Sequence, residues 1–129
     1  VGRELFKAIN RGDNPEGALF YASTKDGRRF TPRRRIPTLG SPKPSHPQIA
    51  IDGAGQLYVA WDEVIGDVRG AAFRSLSVTA AGAVTVGPVQ KLATGTGAYP
   101  VLAARSNGLL AVWTSGPPDK AVILVRAIR

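Results

Sequence analysis

Short apolar stretches alternate with polar positions along the whole chain, and none keeps a helical 3.6-residue period over eleven residues. The stretches are rich in Val, Ile, Leu, Phe and Tyr and are bounded by Gly, Pro, Asn and Asp, the punctuation of β-strands. The pattern predicts strands over residues 4–9, 18–23 and 30–36, with turns at 10–15 and 25–27, then a Pro-rich link over 37–47. Further strands follow at 48–51, 57–61 and 71–78, and one within 83–92. The last group is 101–104, 109–113 and 121–128.

One phrase occurs twice. His46-Pro47-Gln48-Ile49-Ala50-Ile51, a Gly-containing turn and Leu57-Tyr58-Val59-Ala60-Trp61 return as Tyr99-Pro100-Val101-Leu102-Ala103-Ala104, a turn and Leu109-Leu110-Ala111-Val112-Trp113. The offset is 53 residues at Pro47/Pro100 and 52 at Trp61/Trp113, so the copies differ by one residue in the turn. A period of about 50 residues holding several short strands is the mark of a β-propeller blade. The expected fold is therefore all-β, made of four-stranded antiparallel blades. With strands lettered A (inner) to D (outer), the chain reads B-C-D, A-B-C-D, A-B-C, about three blades over residues 1–40, 41–95 and 96–129.

Propellers usually close with about four to eight blades. The expectation is thus a partial propeller, half of a six-bladed one. Its apolar blade faces predict a partner: a second copy, or the missing half.

Composition narrows the class. Hydrophobic residues make up 43% of the 129, enough for a packed core. No apolar run approaches the roughly 18 residues of a membrane helix, so a membrane partner is not expected. Cysteine is absent, which excludes disulfides and thiolate metal sites. No phosphate-binding Gly loop, His metal cluster or Gly-x-Ser-x-Gly elbow occurs, so neither a metal nor a cofactor is expected.

The net charge is +8, and Arg28, Arg29, Arg33, Arg34 and Arg35 fall within eight residues. Two readings stand side by side. One is a charged outer edge strand that resists strand-to-strand aggregation; the other is a patch for a polyanion.

Ser23-Thr24-Lys25-Asp26-Gly27-Arg28-Arg29-Phe30 resembles the Asp box of bacterial neuraminidase-type repeats, Ser-x-Asp-x-Gly-x-Thr-Trp/Phe. Ser23, Gly27 and Phe30 match; Lys25 stands at the aspartate position, Asp26 one place later, and Arg29 replaces the threonine. Ser45 to Asp52, followed by Leu57 to Glu63, is similar to the A and B strands of a sialidase propeller. The resemblance implies the C-terminal part of a sialidase-like, glycan-directed protein of bacterial, secreted or periplasmic type. Nucleic acid is not an expected partner. An acidic glycan is.

The family's retaining chemistry implies a tyrosine nucleophile, a carboxylate that activates it, an aspartate acid/base and three arginines that clamp the substrate carboxylate. Gly97-Ala98-Tyr99-Pro100 resembles the segment carrying that tyrosine, although the family usually has Ser where Pro100 stands. The catalytic candidates are Tyr99, Arg11 and Glu63. Propeller geometry places His46 and Tyr99 at the starts of A strands, and Arg11, Asp62, Glu63 and Thr114 at the ends of B strands. These ends share one funnel mouth, which makes His46, Asp62 and Thr114 the candidate ligand-binding residues. A chain lacking the remaining acid/base and arginines is not expected to catalyse alone, and a non-catalytic module for glycan binding, protein binding or assembly is the alternative.

Overall fold

The computed structural model describes the backbone of residues 3–9, together with residues 18–41 and 43–129. Eleven strands form three antiparallel sheets, none closed on itself, and no helix occurs among the described residues. Sheet 1 holds β1 (Arg3–Ile9), β2 (Ala18–Thr24) and β3 (Arg34–Ile36). Sheet 2 runs β4 (Ser45–Ile51), β5 (Leu57–Ile65), β6 (Val68–Val78) and β7 (Val84–Val86), and β8 (Gln90–Lys91) also pairs with β6. Sheet 3 holds β9 (Ala98–Arg105), β10 (Gly108–Ser115) and β11 (Val122–Ile128). Within each sheet the strand order follows the chain.

Two expected strands are shorter than the apolar pattern suggests. Residues 30–36 give only β3 plus an isolated bridge from Phe30 to Thr24, because Pro32 has no N–H to donate to a ladder. The stretch 83–92 splits into β7 and β8 around Gly87-Pro88 for the same reason. Elsewhere the strands extend past their apolar cores. The β5–β6 hairpin continues to Ile65 and Val68, since its tight turn at Gly66, with φ 61°, lets the ladder run on.

Burial explains why β5 lacks a polar face. Leu57 through Glu63 are all buried, seven residues in succession, as in a strand covered on both sides. Leu57, Val59 and Trp61, with Ala72 and Leu76 of β6, pack on Leu19, Tyr21 and Ile36 of sheet 1. Tyr58 and Ala60, with Ala71 and Phe73, pack on Leu109, Ala111, Trp113 and Ile128 of sheet 3. Trp61 and Trp113, the landmarks of the repeat, each fill one of these two cores. The opposite face of sheet 3 is open: Val101, Ile123 and Val125 are 52%, 71% and 62% exposed.

A carboxylate fixes the seam between sheets 2 and 3 at the β4–β5 turn. Asp52 Oδ1 accepts the Ala54 and Gln56 N–H groups at 3.0 and 2.9 Å, and Oδ2 accepts the Gly108 N–H of sheet 3 at 3.2 Å. The Gly53 N–H donates to the Arg105 carbonyl at 2.7 Å. The Tyr58 hydroxyl donates to the same carboxylate; burial first, then the Asp52 charge and this bond, push the Tyr58 pKa up.

The turn that resembles an Asp box is also held by a carboxylate. Asp26 Oδ1 accepts the Arg28 and Arg29 N–H groups at 2.8 and 2.9 Å and the Thr24 hydroxyl at 3.2 Å. Those backbone bonds hold the Asp26 carboxyl below the usual carboxylate range. Asp26 therefore organises this turn from one position after the pattern's aspartate.

Candidate functional site

The repeat carries the same backbone irregularity twice. Between β4 and β5 the register passes from Gln48↔Ala60 to Ser45↔Asp62, so His46 and Pro47 stand opposite Trp61 alone. Between β9 and β10 it passes from Val101↔Val112 to Ala98↔Thr114, so Tyr99 and Pro100 stand opposite Trp113 alone. Two residues facing one make a β-bulge, a device that re-aims side chains. At each bulge the residue before proline is left-handed, with φ 51° at His46 and φ 52° at Tyr99. They are the two non-glycine residues with positive φ among the described ones. A non-glycine residue in that region costs about 1–2 kcal/mol, and persists where surrounding contacts impose it.

Those contacts converge on Asp62. Its Oδ2 accepts the Tyr99 backbone N–H at 2.6 Å and the His46 Nδ1–H at 2.8 Å. Its Oδ1 accepts from the Arg69 guanidinium. A carboxylate can only accept, so His46 carries its hydrogen on Nδ1. Asp62 itself is fully buried. Sheet pairing explains the arrival of Arg69: Asp62 pairs with Ala71, so Arg69 is the diagonal neighbour on the same face of β5–β6.

The groups held by Asp62 face solvent. The His46 and Tyr99 rings lie 4.1 Å apart, centroid to centroid, tilted by 40°. Tyr99 is 61% exposed, and the His46 and Arg69 side chains are each 40% exposed. The result is a two-ring aromatic platform beside a guanidinium, all referenced to one buried anion. Such a surface offers ring faces to an apolar ligand face and spare Arg69 donors to an anionic substituent.

Of the residues singled out in the sequence, His46, Asp62 and Tyr99 come together here. Glu63 does not join them. It follows Asp62 on a strand and therefore points to the other side of the sheet, where its Oε2 accepts the Trp61 indole N–H at 3.0 Å. Thr114 occupies the repeat position of Asp62 and pairs with Ala98, with no hydrogen bond into the cluster. Arg11 lies outside the described residues. One participant carries no motif: Arg69 is legible only through hairpin register.

No family model matches the chain, and neither the curated proteins nor the solved structures compared with it give a match.

Proposed function

We propose that this chain is part of a sialidase-like β-propeller protein and acts as a non-catalytic module that binds an acidic glycan at the Tyr99–His46–Arg69 platform. The carrying observation is the exposed pair of rings, held in left-handed backbone by one buried carboxylate. Strain imposed at two equivalent positions, and spent on presenting solvent-facing side chains, is the pattern of a recognition site. A pyranose ring offers a C–H face to Tyr99 and His46, and a sugar carboxylate offers two oxygens to Arg69.

Binding is favoured over catalysis because both Asp62 oxygens are engaged and buried, leaving no accessible acid or base there. Asp62 reaches Tyr99 through the backbone amide, and Glu63 stands on the opposite face. The open apolar face of sheet 3 supports a further sheet of the same type packing there, from a second copy or from the remainder of the propeller.

The test is titration of the chain with N-acetylneuraminic acid, followed by amide and aromatic NMR shifts. Saturable shifts at Tyr99, His46 and Arg69 are expected, lost in Tyr99→Ala and Arg69→Ala. Turnover of a fluorogenic sialoside, abolished by Tyr99→Phe, would replace the binding reading with a catalytic one. The absence of any shift would remove the glycan from the proposal.

A further inference from the structure

The basic segment of sheet 1 makes a second site, remote from the platform. Lys25, Arg28, Arg29, Arg33, Arg34 and Arg35 are all exposed, on one turn, on the adjoining edge strand β3 and, for Arg33, directly before it. None of the six is in an ion pair among the described residues. The one acid within the segment, Asp26, is exposed, and one of its carboxylate oxygens is occupied by the Arg28 and Arg29 amides and the Thr24 hydroxyl, so six cations face a single anion there. The guanidinium of Arg33 lies over the Phe20 ring at 5.0 Å, which restrains it before any ligand arrives.

Edge protection accounts for charges on β3, because an edge strand needs a deterrent to pairing. It leaves Lys25, Arg28 and Arg29 unexplained, since these sit on the turn rather than the edge. A recess of about 720 Å³ adjoins that turn, lined by Lys25, Asp26, Arg29 and half-exposed Phe30 on one side and by Val78 and Thr79 on the other, and Thr31 also borders it. Charge, a hydroxyl pair and an apolar wall thus meet beside the same strand edge.

We infer that this turn and edge bind a sulfated linear polysaccharide. Guanidinium groups pair with sulfate oxygens through paired N–H donors, and several along one turn and strand edge, with Arg34 and Arg35 on opposite faces of β3, suit a polymer with repeated anions. Single-stranded nucleic acid is disfavoured because its binding relies on successive exposed aromatics on which bases stack. Here Phe30 is the exposed ring, and Phe20 is covered by Arg33.

The experiment measures heparin affinity across a salt series for the wild-type chain and two variants of equal charge loss. One variant is Arg33→Ser/Arg34→Ser/Arg35→Ser; the other is Lys43→Ser/Arg105→Ser/Lys120→Ser. All six side chains are exposed, and circular dichroism checks that both variants fold. The first variant is expected to lose on the order of a hundredfold in affinity, with a shallower salt dependence, and the second only a few-fold. The Arg33→Ser/Arg34→Ser/Arg35→Ser variant is expected to keep the N-acetylneuraminic acid shifts at Tyr99, which separates this site from the platform. Equal losses in the two triple variants would reduce the effect to net charge and overturn the proposal. So would tighter binding of a matched single-stranded oligonucleotide that depends on Phe30.

Discussion

Replacing Asp62 with alanine tests whether one buried carboxylate holds the platform together. The Tyr99 N–H loses a charged acceptor at 2.6 Å, a bond worth about 1.5–3 kcal/mol. His46 and Arg69 are each 40% exposed, so their pairs count on the surface scale, about 0.5 kcal/mol apiece. Relaxation of His46 and Tyr99 out of the left-handed region offsets part of this, by up to about 1 kcal/mol at each position. The net expectation is a loss of about 2 kcal/mol, or roughly 7 °C in melting temperature for a chain of this size. Denaturant titrations of wild type, Asp62→Ala and Asp62→Asn measure it. Asp62→Asn should fall between the others, because its amide oxygen still accepts from Tyr99 while its NH₂ opposes Arg69. In NMR spectra the Tyr99 amide should move strongly upfield in Asp62→Ala. A stability change below about 0.5 kcal/mol, with the Tyr99 amide unmoved, would refute the hub.

Three further outcomes follow from the same geometry. Tyr99→Gly should change stability by less than about 1 kcal/mol, since glycine accepts φ 52° and the lost ring is mostly exposed, whereas β-branched Tyr99→Val should cost clearly more; paired thermal melts decide between them. Gly53→Ala should destabilise by about 1–3 kcal/mol, because a Cβ there would meet the Ser106 backbone oxygen at 2.6 Å and its Cα at 2.7 Å, and a melt no lower than wild type would show that the seam yields freely. Tyr58, whose folded pKa is raised, stabilises the fold fully below the unfolded value of about 10, and that contribution is lost as pH rises through the higher folded value. Denaturation at stepped alkaline pH should show this loss in wild type, with a flatter profile in Tyr58→Phe.

Much of the architecture was readable from local pattern. The tandem phrase around Pro47 and Pro100 located equivalent strands, and the matching tryptophans marked equivalent core positions. That legibility has a simple cause: strand propensity and turn punctuation are short-range, and a repeat states them twice. The site was readable only in part. His46 and Tyr99 stand out because the repeat aligns them, and Asp62 because it ends an apolar strand. Arg69 was hidden, since its partnership with Asp62 depends on the register of the β5–β6 hairpin. Glu63, adjacent to Asp62 in sequence, is separated from the cluster by the period-2 alternation of a strand covered on both faces.

The sequence by itself determined an all-β chain, its internal repeat, its excess of positive charge and the approximate places of its strands. These follow from residue type and spacing, which act within a few residues. Only the tertiary structure decided that Asp62 belongs with Tyr99, 37 positions away, and that Asp52 belongs with Gly108, 56 positions away. It also decided that two residues before prolines adopt a backbone their own preferences oppose. A buried carboxylate must find donors wherever the packed sheets bring them, so its partners are chosen by the stacking of sheets and not by neighbours in the chain.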